Sequence, residues 1–163
     1  MRPGEIIALQ WKHVHDDHVS VEQRIYRGKL DRPKTARSKR QVALSPETQT
    51  AMALWKKETP TTGDEDWVFP SEKIKTAVCR DNVWRRAIQP KLDGLKLGWA
   101  SFQVMRRTHA SLSRRAGIDP KLVADQLGHG LGVNLEVYTI AGLDQRLEAV
   151  NTLEQSLASS AIN

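Results

Sequence analysis

Cysteine is almost absent: Cys79 is the only one among 163 residues. That excludes an internal disulfide framework and a cysteine-cluster metal site, and it suits a reducing, cytoplasmic setting. No uninterrupted apolar run approaches the roughly 20 residues that cross a bilayer, so no membrane partner is expected. The opening Met1-Arg2-Pro3-Gly4-Glu5 has no apolar stretch of the secretory kind, and a chain without a signal peptide is expected. Internal repeats and low-complexity tracts are missing too. What is present, 39% hydrophobic and 27% charged residues, reads as a soluble globular chain of one-domain size with a real core.

Charge is unevenly placed. Lys plus Arg is 25 against 19 for Asp plus Glu, a net +6. Eight of the basic residues fall between Arg24 and Arg40 (Arg24, Arg27, Lys29, Arg32, Lys34, Arg37, Lys39, Arg40), with Asp31 as the one acid among them. The rest of the chain is close to neutral. A basic strip on a neutral body points to a polyanion, and nucleic acid is the first candidate; the alternative is a solvated loop.

The hydrophobic pattern predicts a mainly helical α+β domain with a small three-stranded antiparallel sheet. Pro3 to Trp11 reads as a helix with proline in its first turn. His18 to Glu22 alternates as a strand, Arg24 to Gly28 continues as a second, and Arg40 to Leu44 reads as a third. The basic strip then forms a hairpin loop and its flanks. Ser45-Pro46 opens a helix to about Glu58. Trp67-Val68-Phe69-Pro70 is a short buried segment. Helices are predicted over Asp81–Leu92, from Ser101 to about Ala116, and from Asp119-Pro120 to Leu127-Gly128. Leu143, Leu147, Val150, Leu153 and Leu157 form a terminal amphipathic stripe.

Two constellations carry chemistry. His13-Val14-His15-Asp16-Asp17-His18 spells H-x-H-x-D-H, which resembles the zinc-binding signature of the metallo-β-lactamase-type hydrolases. That fold needs strands before the motif, where only twelve residues stand, and further ligands downstream, where only His109 and His129 remain. A polar turn between helix and strand is the preferred reading, with a zinc hydrolase using His13, His15 and His18 as the less favoured one.

The second constellation is ordered along most of the chain. Gln103-Val104-Met105-Arg106-Arg107-Thr108-His109 lies on a predicted helix. Leu127-Gly128-His129 follows, and Tyr138 comes nine residues after that histidine. This set resembles the catalytic domain of the tyrosine recombinases, the phage integrase family, whose signature is H-x-x-R, then L-G-H, then a nucleophilic tyrosine. Arg2-Pro3-Gly4-Glu5 resembles that family's R-x-G-E block, and Pro33-Lys34-Thr35 to Val42 its lysine-bearing hairpin. The resemblance runs from Arg2 to about Thr139.

The resemblance implies site-specific DNA recombination or integration, by strand cleavage and rejoining through a 3′-phosphotyrosyl intermediate. On this resemblance Arg2 and Arg106 are expected to grip the phosphate oxygens with planar donor forks. Tyr138 is the expected nucleophile. Lys34 is expected to protonate the departing 5′ oxygen. His129 is expected to contact the phosphate or assist proton transfer. The phosphotyrosine bond stores the energy, so neither metal nor cofactor is implied. Arg32, Arg37, Lys39, Arg40 and Arg107 are the expected DNA-backbone contacts, and double-stranded DNA is the expected partner.

Two departures stand out. Gln103 occupies the usual histidine position; its amide donates a hydrogen bond but moves no proton. The helices and the DNA-clamping domain that precede the R-x-G-E block in the family are not in the sequence, so a truncated chain is expected: residues 1–141 as the catalytic domain, 142–163 as an amphipathic helix and tail. In the family that tail docks on a neighbouring subunit of a DNA-bound tetramer, and weak self-association through it is expected here. The alternative function is a catalytically impaired, DNA-binding remnant of a mobile element. Type IB topoisomerases share the chemistry but resemble these motifs less closely.

Overall fold

The computed structural model describes residues 1–31 and 39–128. The fold is α+β, with six helices and two small antiparallel ladders among the described residues. In chain order these are α1 (Pro3–Ile6), a 3-10 turn (Trp11–His13), β1 (His18–Val21), β2 (Arg24–Tyr26), β3 (Lys29–Asp31), β4 (Arg40–Ala43), α2 (Pro46–Glu58), α3 (Arg80–Val83), a π turn (Trp84–Ile88), α4 (Gln89–Gly94), α5 (Phe102–Arg115) and α6 (Pro120–Leu127).

The core explains why β1 and β4 meet. Val19 and Val21 alternate inward on β1, and Val19 pairs with Val42 of β4. With Leu9, Trp11 and Val68 they form one buried cluster, which Met52 and Trp55 of α2 cover. Val68 is fully buried, and its carbonyl accepts from Trp55 Nε1 at 2.6 Å. Helix α2 starts where its sequence says: Ser45 Oγ accepts from Thr48 N–H, and Pro46 fills the first turn. A second cluster, Ala110, Val123 and Leu127, joins α5 to α6.

The strand arrangement differs from the expected three-stranded sheet. Gln23 leaves the line of β1 because its amide donates to Ala8 O at 2.6 Å and to Gln10 Oε1 at 3.0 Å. The chain then makes a separate hairpin, β2–β3, with Tyr26 opposite Lys29. Its two loop residues, Arg27 and Gly28, both have positive φ, at 50° and 74°. That is the backbone a two-residue hairpin loop needs. Part of the basic strip is therefore a strand: Arg24 pairs with Asp31 across the ladder at 2.7 Å, and Arg24 and Arg27 both lie against the Tyr26 ring.

The helix expected over Asp81–Leu92 is interrupted by the π turn. Gln89 N–H donates to Trp84 O, one residue further back than an α-helix allows. Pro90 is the cause: it has no N–H, and its ring collides with the carbonyl four residues earlier. Gly4 explains how β2 reaches α1, since a Cβ there would stand 2.5 Å from Ile25 O. No helix among the described residues is long and apolar enough to cross a membrane. The expected terminal stripe, Leu143 to Leu157, lies outside the described residues.

Candidate active site

Three arginines from distant parts of the chain meet at the end of α6. Helix α6 stops at Gly128, whose φ of 71° is left-handed and whose N–H caps Ala124 O and Asp125 O. The carbonyls just past such an end have no helical partner and carry the negative end of the helix dipole. Arg106 Nη2 donates to Leu127 O at 2.9 Å, and Arg2 Nη2 donates to Gly128 O at 2.9 Å. Arg40 Nη2 also reaches Leu127 O, at 3.3 Å.

Beneath them lies Glu5, 5% exposed. Its carboxylate takes four donors: Arg2 N–H at 2.7 Å, Arg2 Nη1 at 3.0 Å, and Arg40 Nη2 and Nη1 at 2.8 and 3.3 Å. Four is about the number of lone-pair sites an ionised carboxylate offers. Burial by itself would raise the pKa of Glu5. The Arg40 hydrogen bond, the Arg2 backbone N–H and the Arg40 charge outweigh it and hold Glu5 at about 2.

Local sequence places each group. Arg2 is the N-cap of α1, and Glu5 at the third helical position closes back on the Arg2 N–H. Arg106 sits on α5, which Ser101 caps at Val104 N–H. Phe102 stacks at a tilt on Trp84, 4.7 Å between centroids, and so fixes where α5 begins. Strand β4 is fastened to α6 by a side chain: Gln126 Oε1 accepts from Ala43 N–H at 3.1 Å and Gln126 Nε2 donates to Ala43 O at 2.8 Å.

The expected site residues divide into three groups. Arg2 and Arg106 are brought together. Gln103 stands one turn before Arg106 on α5 and is exposed, as are Arg107 and Lys39. Arg40, expected among the outward DNA contacts, instead points inward: its side chain is 9% exposed and ion-paired to Glu5. The reason is register. Arg40 and Val42 are two apart on β4 and share its inner face. Lys34, His129, Tyr138, Arg32 and Arg37 lie outside the described residues. The pairing of Glu5 with Arg40, and the seat that Gly128 gives the Arg40 guanidinium, are not marked by the motifs, although Glu5 and Gly128 lie inside R-x-G-E and L-G-H. The alternation Arg40-Gln41-Val42 was the signal for the first pair.

The three histidines of the H-x-H-x-D-H segment do not form one ligand group. His13 is 4% exposed and its Nδ1 accepts from Gln10 N–H; burial lowers its pKa. His15 and His18 stack on each other, and their ring nitrogens bond Ser20 and Asp17. Among the described residues no group of three or more His, Cys, Asp or Glu is placed to share a metal ion.

Beside the arginine cluster runs a cleft of about 720 Å³, lined among others by Arg2, Arg24, Tyr26, Arg27, Lys75 and Arg80.

Comparison with known proteins follows the same outline. The sequence model of the phage integrase family matches residues 1–141. No curated protein matches the chain. Among solved structures, the Tn1549 transposon integrase in complex with transposon right end DNA superposes with a TM-score of 0.75 at 18% identity, over 94% of this chain and 55% of that one. The same integrase with circular intermediate DNA gives 0.71 at 19%, over 94% and 56%. The XerA recombinase gives 0.65 at 20%, over 93% and 52%. At these identities the likeness is one of fold, and the chain spans about half the length of the structures it matches.

Proposed function

The chain belongs to the phage integrase family, and on that premise we propose that it is the catalytic part of a site-specific DNA recombinase that breaks and rejoins strands through a phosphotyrosine. The observation that carries this reading is the convergence of Arg2 and Arg106 on adjacent carbonyls, immediately before His129 in the sequence. Two permanently charged forks held side by side suit the extra negative charge on a phosphodiester in its transition state. The neighbouring carbonyls keep them in place before any anion arrives.

In the proposed reaction Tyr138 Oη attacks phosphorus and the P–O5′ bond breaks. The 5′ oxygen leaves with a proton from Lys34, and the enzyme is joined to the 3′ phosphate. His129 contacts that phosphate or assists removal of the tyrosine proton, which a phenol of pKa near 10 requires. Resealing runs the steps backwards on a new strand. The basic side chains along the cleft support a DNA backbone as the partner. Residues 1–141 form the catalytic domain in this reading, and 142–163 the segment through which copies associate on DNA; comparing solution mass with and without 142–163 tests the latter.

The deciding experiment is covalent trapping on a library of nicked duplexes. The parent chain is expected to give a denaturation-resistant adduct and Tyr138→Phe none, with DNA binding nearly unchanged. An adduct that persists in the Phe variant overturns the assignment of the nucleophile. Binding without any adduct from the parent favours a DNA-binding remnant instead.

A further inference from the structure

Arg40 is buried where Arg2 is not: 9% of its side chain is exposed, against 48% for Arg2. Its fork donates to both oxygens of Glu5, and one arm reaches Leu127 O. Its flat face lies on the turn after α6. A Cβ on Gly128 would stand 2.4 to 2.6 Å from Arg40 Cζ, Nη1 and Nε, so only glycine lets the guanidinium sit there. Glu5 in turn holds Arg2 twice, by the backbone N–H and by Nη1. One side chain thus ties the N-cap of α1 to the end of α6, where Arg2 and Arg106 converge.

We infer that Arg40 is a positioning residue for the phosphate site: it locks Glu5 to the Leu127–Gly128 turn and so fixes the fork of Arg2 against that of Arg106. The inference rests on the proposed reading of those two arginines as the phosphate grip. It assigns Arg40 no contact with DNA. A planar fork is needed because two carboxylate oxygens and a carbonyl are held at once; a lysine ammonium, a point charge on a flexible stem, cannot reproduce that geometry. A small misplacement of a gripping group is enough to lower a rate about tenfold to a hundredfold.

The test uses the full chain with Arg40→Lys, which keeps the charge, and the double variant Glu5→Gln with Arg40→Gln, which removes both buried charges together. The first readout needs no catalysis: the Nη proton signals of Arg2, assigned by loss in Arg2→Lys, report whether its guanidinium rotates slowly. Slow rotation is expected in the parent and loss of it in both variants, with melting temperatures that keep the fold intact. The second is single-turnover cleavage of the nicked duplexes. A fall of about tenfold or more in rate is expected, with the Kd for the same duplex within about threefold of the parent. Unchanged Arg2 signals in either folded variant overturn the inference. So does a loss that falls on Kd rather than on rate, because Arg40 is then a DNA contact. A parent that forms no adduct defeats the proposed activity, and the Arg2 signals still decide the role of Arg40.

Discussion

Arg2 and Arg106 donate to adjacent carbonyls, Gly128 O and Leu127 O, at the same distance of 2.9 Å. Two like charges side by side repel each other, and three features offset that repulsion. The end of α6 supplies negative dipole, the two carbonyls supply acceptors, and Glu5 supplies a full negative charge from below. A neutral carbonyl is a weaker acceptor than a phosphate oxygen. In the proposed reading, the same geometry that holds the forks in the resting protein leaves them ready to turn to a phosphate.

Acid should weaken the fold through Glu5. Its pKa lies at about 2 instead of 4.5, so the folded state binds its proton less readily than the unfolded chain does. The stabilisation is complete above about pH 4.5 and is lost as pH falls from there towards 2. A shift of that size corresponds to about 3 kcal/mol. Urea midpoints from pH 7 down to pH 2.5 should show Glu5→Gln less stable at pH 7 and the gap closing below pH 4.5. A gap that stays constant across that range contradicts the assigned role of the Arg2–Glu5–Arg40 group.

Gly128→Ala should cost about 2 kcal/mol, from the left-handed backbone and the displaced Arg40 guanidinium together. Gly94→Ala is the control. It is helical, and a Cβ there meets nothing within 4 Å, so it should be neutral or gain up to about 1 kcal/mol. Chemical denaturation of both variants measures this. Equal effects at the two positions would mean that Arg40 does not rest on Gly128.

Much of this was legible in the sequence because local chemistry and packing agree. Ser45-Pro46, Ser101 and Asp119-Pro120 each open a helix where their capping chemistry predicts. Arg2 and Arg106 stand in motifs whose order survived, and the structure places them together. Strand β3 was not legible, because Arg27-Gly28 lacks the asparagine or aspartate that usually marks a two-residue hairpin loop. The break in the helix after Arg80 required weighing Pro90 against the stripe Val83, Trp84, Ala87 and Ile88. The inward turn of Arg40 was not legible, because a run of charges along the chain does not show which face of a strand each one occupies.

Outward charges should dominate the salt dependence of DNA binding. Lys39 and Arg107 are exposed, while Arg40 is buried against Glu5. Lys39→Ala and Arg107→Ala should each flatten the slope of log affinity against log salt by about 0.9 per lost phosphate contact on random-sequence duplex. Arg40→Lys should leave the slope alone. If the two alanine variants keep the parental slope, the DNA lies on another face.

Gln103→His should raise cleavage. Gln103 is exposed near the start of α5, one turn before Arg106 on the same helix. Its amide can donate to a phosphate oxygen but cannot carry charge or release a proton. Histidine adds both, at a cost: the helix N-terminus and Arg106 each disfavour the imidazolium and push its pKa below the ordinary value near 6.5. A bound phosphate acts the other way and favours the charged ring. The gain over the parent should therefore grow as pH falls through about 6.5, while DNA binding changes little. Single-turnover rates on nicked duplexes between pH 5.5 and 8 read this directly. Equal rates for the variant and the parent throughout that range would mean that position 103 does not reach the reacting phosphate.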